Sequence, residues 1–185
     1  MNVQDEQITL RDGRAIRLGP VLPEHAGMYR AYMMEFADES PWSGTMSDEV
    51  QDEDAQRERI EKCKDDPAHY VLGAFDVDSG RLIADCCMHT NKHKKVRHVT
   101  VLGIGILKAW RGEGLGRTMM ERAISAARED AEIHKIELGV FSENKIAFSL
   151  YESLGFVYEG AKKRALRQPD GSYMDDVIMG LWVGD

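Results

Sequence analysis

Apolar positions open the chain in alternation. Ile8 and Leu10 lie two apart, Asp12-Gly13 interrupts them, and Ile16 and Leu18 resume, which predicts strand, turn, strand. From Leu22 the spacing lengthens to Leu22, Ala26, Tyr29, Met33 and Phe36, with Pro23 near the first turn, and predicts a helix with one apolar stripe. Residues 48–64 are dense in charge and poor in apolar positions, so they read as a solvated, weakly amphipathic second helix. Residues 70–77 and 81–89 read as strands around the turn Asp78-Ser79-Gly80. A third strand, 97–107, is mostly apolar, as a buried central strand should be. Gly103 and Gly105 within it suggest a bulge or a close backbone approach to a ligand.

Helical spacing returns with Leu115, Met119, Ala123, Ile124 and Ala127. Ile136, Leu138 and Val140 alternate as a strand, a short helix follows over about 145–154, and two closing strands flank the turn Pro169-Asp170-Gly171. The predicted order is ββ α α βββ α β α ββ, an α/β domain whose sheet is antiparallel first and locally parallel around the 115–130 helix. No repeat or low-complexity linker divides it, so residues 1–185 are expected to form one domain.

Composition narrows the picture further. With 43% apolar residues the chain can bury a core without disulfides or metals. The polar, acidic N-terminus does not read as a signal peptide, and the longest apolar stretch, 99–107, is too short to span a bilayer. Three cysteines, two of them adjacent, fit a reducing compartment, so a soluble cytoplasmic protein is expected. A net charge of −8 argues against nucleic acid or an anionic membrane as main partner and suits a cationic substrate such as an amine. His89, His93 and His98 with Cys86 and Cys87 match no standard zinc spacing and sit among Lys92, Lys94, Lys95 and Arg97, so a solvated basic turn, and no metal, is expected there.

The chemistry concentrates in Ile104-Gly105-Ile106-Leu107-Lys108-Ala109-Trp110-Arg111-Gly112-Glu113-Gly114-Leu115-Gly116-Arg117-Thr118. A buried strand here runs into a glycine-rich loop that opens a helix. The unpaired amides of a first helical turn, with the partial positive charge of the dipole, form a cradle for a pyrophosphate. A P-loop would end in Gly-Lys-Ser/Thr, and a dinucleotide fingerprint would need glycine at 119, which is Met119, so neither motif is present.

Arg111-Gly112-Glu113-Gly114-Leu115-Gly116 resembles the Arg/Gln-x-x-Gly-x-Gly/Ala signature of the GNAT superfamily of N-acetyltransferases. Twenty-eight residues after Gly116, the run from Asn144 to Phe156 is similar to the second motif of that family, Asn-x-x-Ala-x-x-Leu-Tyr-x-x-x-Gly-Phe. The resemblance implies a GNAT fold, with a mixed, mostly antiparallel central sheet splayed at the cofactor site and flanked by helices. It implies acetyl-CoA as acetyl donor, its pyrophosphate on Arg111, Gly112, Glu113, Gly114, Leu115, Gly116, Arg117 and Thr118. The pantetheine arm is then expected along Ile106 and Leu107, with Asn144 contacting the pantetheine or phosphate region and Tyr151 beside the sulfur as general acid. A phenol near pKa 10 can donate a hydrogen bond or proton to a thiolate whose conjugate acid lies near 8.5.

Many enzymes of that family carry a glutamate on the strand before Asn144, but Gly139 stands here. Glu137 is expected to face the other side of that strand. Asp85 is the leading candidate base, against the alternative of a carboxylate facing water at the sheet's edge or end; Glu35 and Asp38 could instead line an amine pocket. The closing hairpin and Leu138-Gly139-Val140-Phe141 resemble enzymes that acetylate free amino acids or small amines. The leading expectation is acetyl transfer to a small-molecule primary amine by direct attack in a ternary complex. An acyl-CoA sensor without turnover, a protein N-terminus as acceptor, and an unrelated nucleotide-binding enzyme are the alternatives. A homodimer is open, since Trp42 and Trp182 could serve a dimer face or a core.

Overall fold

The computed structural model describes residues 3–64, 66, 68–168 and 170–184. Its elements follow the predicted order. The opening hairpin is β1 (Glu6–Thr9) and β2 (Ala15–Pro20), and a single 3-10 turn at Pro23–His25 leads into α1 (Ala26–Glu39). After α2 (Glu53–Lys64) come β3 (His69–Asp76), β4 (Leu82–Thr90) and β5 (Val99–Ile106). Then follow α3 (Leu115–Arg128), β6 (Lys135–Phe141), α4 (Lys145–Ser153), β7 (Val157–Arg167) and β8 (Tyr173–Trp182). Pro169 of the closing turn lies outside the described residues.

The eight strands form one mixed sheet in the order β1-β2-β3-β4-β5-β6-β8-β7. Only β5–β6 is parallel, and α3 makes the crossover between them, as parallel neighbours require. The last strand inserts between β6 and β7, so β6 is paired with β8 along its whole length, from Lys135–Trp182 to Phe141–Asp176.

Two clusters cover the two faces. On one, Leu115, Met119, Met120, Ala123, Ile124 and Ala127 of α3 and Tyr151 of α4 pack on Ala84, Cys86, Met88, Leu102, Ile136, Leu138 and Val140. On the other, Ala26, Tyr29 and Tyr32 of α1 and Ile60 of α2 pack with Val21, Phe75, Leu82 and Leu107. Only Gln56 and Ile60 of α2 are buried, in line with its charge-rich sequence. The buried stripe of α1 differs from the expected one: Tyr32 is 1% exposed while Met33 is half-buried. A tyrosine whose hydroxyl finds a partner is buried as readily as an apolar residue.

No bulge interrupts the β4–β5 pairing at Gly103 and Gly105, which register with Cys87 and Asp85. The opening that positions the site lies on the other side of β5. Its parallel bonding to β6 covers only Val99–Lys135, Thr100–Ile136 and Val101–Glu137. Beyond Val101 the two strands part, β5 running on to Ile106 and β6 to Phe141.

Candidate active site

The loop before α3 is shaped by backbone requirements. Gly112 and Gly114 have φ of 86° and 93°, a left-handed region where a Cβ is strained, although a Cβ at Gly112 would meet nothing within 4 Å. Gly116 is there for packing: its Cβ would come within 3.1 Å of Ile106 and 3.5 Å of Leu150. Gly114 is the N-cap of α3 and supplies no side-chain cap. The first helical bond runs from Thr118 N–H to the Gly114 carbonyl. Among the described residues, the amides of 112–117 therefore have no acceptor within the chain.

Arg111 does not point into this cradle. Its Nε donates to the Ile106 carbonyl at 2.7 Å, and its guanidinium lies 3.6 Å from Glu39 and over the Phe36 ring. Glu39 also accepts from the Lys108 N–H, so the end of α1 and the end of β5 are stapled together. Arg117 bonds Ser153 Oγ at 2.6 Å and joins α3 to α4. A cation the sequence did not single out stands close by. Arg11, from the β1–β2 turn, gives its N–H to the Glu113 carbonyl at 3.4 Å, and its Nε would lie 3.7 Å from a Cβ on Gly114. Arg14 in the same turn stacks 3.8 Å over Trp110 and bonds the Ala109 carbonyl. A hundred residues separate that turn from the loop, so no local pattern could reveal the contact.

The free edge of β5 is set by hydrogen-bond alternation. Leu107 N–H bonds the Ile83 carbonyl and its own carbonyl accepts from Trp110, while its side chain is buried among Tyr29, Tyr32 and Phe75. Both backbone groups of Leu107 are thus taken. Residues at odd positions of β5 face β4 in the same way, so Ile104 and Ile106 turn their backbone groups toward the gap beside β6. Of the expected pair, Ile106 stands on the gap, with its N–H free among the described residues and its carbonyl held by Arg111, and Leu107 does not; Ile104 is the second.

Asn144 caps α4, its Oδ1 accepting from the Ala147 N–H at 3.2 Å. Tyr151, on the next turns of α4, is 7% exposed beside Phe156. Burial, and then the nearby Cys86 thiol, pushes its phenol well above its ordinary pKa, and no hydrogen bond within the chain contributes to that shift.

Asp85 does not face water. It lies fully within the sheet's α1 face, where Tyr29 and Tyr32 donate to its two oxygens at 2.9 and 2.7 Å. Burial raises its pKa first, and the two tyrosines and Arg59 oppose that rise. Gly105 leaves room for this arrangement, because a Cβ there would collide with the Tyr32 hydroxyl. Asp85 is therefore a carboxylate with both oxygens engaged. Glu137 also departs from expectation. Two residues apart on a strand share a face, so it lies on the side of Gly139, 3.5 Å from Lys135 Nζ. Glu35 pairs with Arg81 at 2.5 Å. Cys86 and Cys87 point to opposite faces of β4, and His89 meets His69 at 2.7 Å. Trp42 packs edge-on against Phe141, 6.1 Å between centroids, and Trp182 is 60% exposed.

Known proteins share this fold. The acetyltransferase (GNAT) family profile matches residues 27–156. An L-amino acid N-acetyltransferase of Escherichia coli is 30% identical over 101 residues, 54% of this chain and 61% of that protein, so the match spans less than two thirds of the relative. Among solved structures, an acetyltransferase of the GNAT family from Streptococcus pneumoniae superposes with TM-score 0.85 at 24% identity, covering 90% of this chain and 99% of that one. A putative acetyltransferase from Salmonella typhimurium, solved with its cofactor acetyl-CoA, gives 0.79 at 18% identity over 92% and 95%.

Proposed function

This chain belongs to the GNAT family of acetyltransferases, and from that premise we propose that it transfers an acetyl group from acetyl-CoA to a primary amine of a small molecule, by direct attack in a ternary complex. The observation that carries the reading is the run of bare amides at 112–117, set beside the gap where β5 and β6 part. Those amides and the α3 dipole suit a diphosphate, and Arg11 adds a full positive charge at the same turn. The backbone groups of Ile104 and the Ile106 N–H, turned into the gap, suit an extended amide-bearing chain that pairs as an added strand, while the Ile106 carbonyl is held by Arg111. The Salmonella neighbour's acetyl-CoA supports the choice of donor, and the Escherichia coli relative supports a small amine as acceptor.

Tyr151, buried in the cluster that α3 and α4 form against β4, β5 and β6, is the group suited to the departing sulfur. Its raised pKa keeps it protonated over the working range, so it donates a hydrogen bond to a developing thiolate or passes it a proton. A small-molecule acceptor would enter from the α1 face, where Trp42 and Phe141 form an aromatic wall.

The test mixes the protein with acetyl-CoA, a panel of L-amino acids, polyamines and aminoglycosides, and a thiol reagent. Thiol release with certain amines only is the expected result. Gly114→Val cannot adopt φ 93° comfortably and is expected to raise the Kd for CoA at least about tenfold. A thermal shift with acetyl-CoA and no release with any amine identifies a sensor instead. A shift with ATP or NAD and none with CoA ends the reading.

A further inference from the structure

An amine acceptor arrives mostly as its ammonium and must lose a proton before it can attack. The carboxylates near the gap are few, and most are engaged. Glu39 holds Lys108 N–H and faces Arg111. Asp85 accepts from two tyrosines, and Glu137 leans toward Lys135. One remains. A Cβ built on Gly139 would lie 2.6 Å from Asp176 Oδ1 and 3.3 Å from its Cγ. In the β6–β8 register Asp176 stands opposite Phe141 and Gly139 opposite Ile178, so the carboxylate leans diagonally from β8 across the bare Cα of Gly139. Gly139 itself is exposed, on the arm of β6 that has parted from β5.

We propose that Asp176 is the general base of this enzyme, delivered from β8 into the space that Gly139 leaves empty on β6. The proposal deepens the acetyl-transfer reading and rests on it. Asp175 and Asp176, adjacent in sequence, divide two duties by strand alternation. Asp175 is structural: it takes Lys163 Nζ at 2.8 Å and the Arg164 N–H at 2.9 Å, and so holds the bulge of β7 in which Arg164 has a φ of 52°. Asp176 faces the other way. Its Oδ2 lies 3.4 Å from the exposed Lys162 Nζ, and its Oδ1, above Gly139, accepts no hydrogen bond among the described residues.

Among the described residues the charged group in contact with it is Lys162 on β7, while Glu137, on the same face of β6, stands opposite Gly180, four positions along. Phe141, its cross-strand partner, and Trp42 give the acceptor an apolar seat beside the carboxylate. Asp176 takes one proton from the ammonium. The nitrogen lone pair so freed forms the C–N bond to the acetyl carbon as the C–S bond breaks, and sulfur keeps the bonding pair. Nitrogen's second proton replaces the one that the thiolate takes on Tyr151's side, so one net proton leaves through Asp176 to water.

The experiment compares wild type, Asp176→Asn, Gly139→Ala and Asp85→Asn, measuring kcat against pH with the best amine of the panel and, separately, the Kd for acetyl-CoA. Asp176→Asn is expected to lower kcat about 10²-fold or more near neutral pH and to leave the rate rising only toward the amine's own pKa, at unchanged Kd. Gly139→Ala keeps the acid but pushes it aside, and is expected to lower kcat at least about tenfold, also at unchanged Kd. A wild type that releases CoA while Asp176→Asn stays within about threefold of it overturns this proposal alone. So does an ascending limb that keeps its place in Asp176→Asn and moves in Asp85→Asn, or a loss of rate with no change in the shape of the profile. A wild type that releases no thiol with any amine overturns the transferase reading and this proposal with it.

Discussion

At the residue scale, the glycines of the loop before α3 divide between two causes. Gly112 and Gly114 are required by positive φ, while Gly116 is required by contact with Ile106 and Leu150. A sequence pattern shows all three alike. Tyr151 stands out in the sequence because a motif surrounds it; the approach of Asp176 to Gly139 does not, because it depends on the absence of a side chain thirty-seven positions earlier. Asp85 was legible as unusual, being charged within an apolar run, but its partners Tyr29 and Tyr32 come from a helix more than fifty residues away. The direct test at this scale is Tyr151→Phe, which keeps the buried ring and removes only the hydroxyl. It is expected to lower kcat about 10²-fold with the Kd for acetyl-CoA nearly unchanged, measured by initial rates and by titration. An unchanged kcat removes Tyr151 from the chemistry.

At the scale of elements, the order of strands and helices could be read from periodicity, and the boundaries fell close to the observed ones. What periodicity does not carry is adjacency. Nothing local shows that β8 slips between β6 and β7, yet that insertion brings Asp176 to Gly139. Helix α4 shows how one residue can hold a structural duty within a functional motif. Asn144 caps the helix through Ala147 N–H, so Asn144→Ala is expected to cost about 1 kcal/mol and lower Tm by roughly 2–4 °C. Asn144→Ser keeps a capping oxygen and is expected to stay near the wild-type Tm. Calorimetry of the two variants isolates the cap, and their affinities for CoA show whether the side chain also meets the ligand: a weaker affinity in both assigns that contact.

At the scale of the molecule, no helix among the described residues is long and apolar enough to cross a membrane. The net charge of −8 sets a field that attracts cations. For a polyamine acceptor, KM is therefore expected to rise as salt is raised from about 0.01 to 0.15 M, where the screening length falls from about 30 to 8 Å. A neutral-to-weakly charged acceptor should show little change, and steady-state kinetics at the two ionic strengths separates the cases. A polyamine KM that ignores salt leaves the field without a role in capture. The amino-acid sequence by itself determined the local periods, the glycine loop and both family motifs, because each is a pattern of near neighbours along the chain. Only the tertiary structure decided that Arg11 reaches the loop, that two tyrosines engage Asp85, and that the carboxylate over Gly139 comes from another strand. Those contacts depend on which strands lie side by side and where the sheet opens, and many side-chain choices far apart in the chain set that jointly.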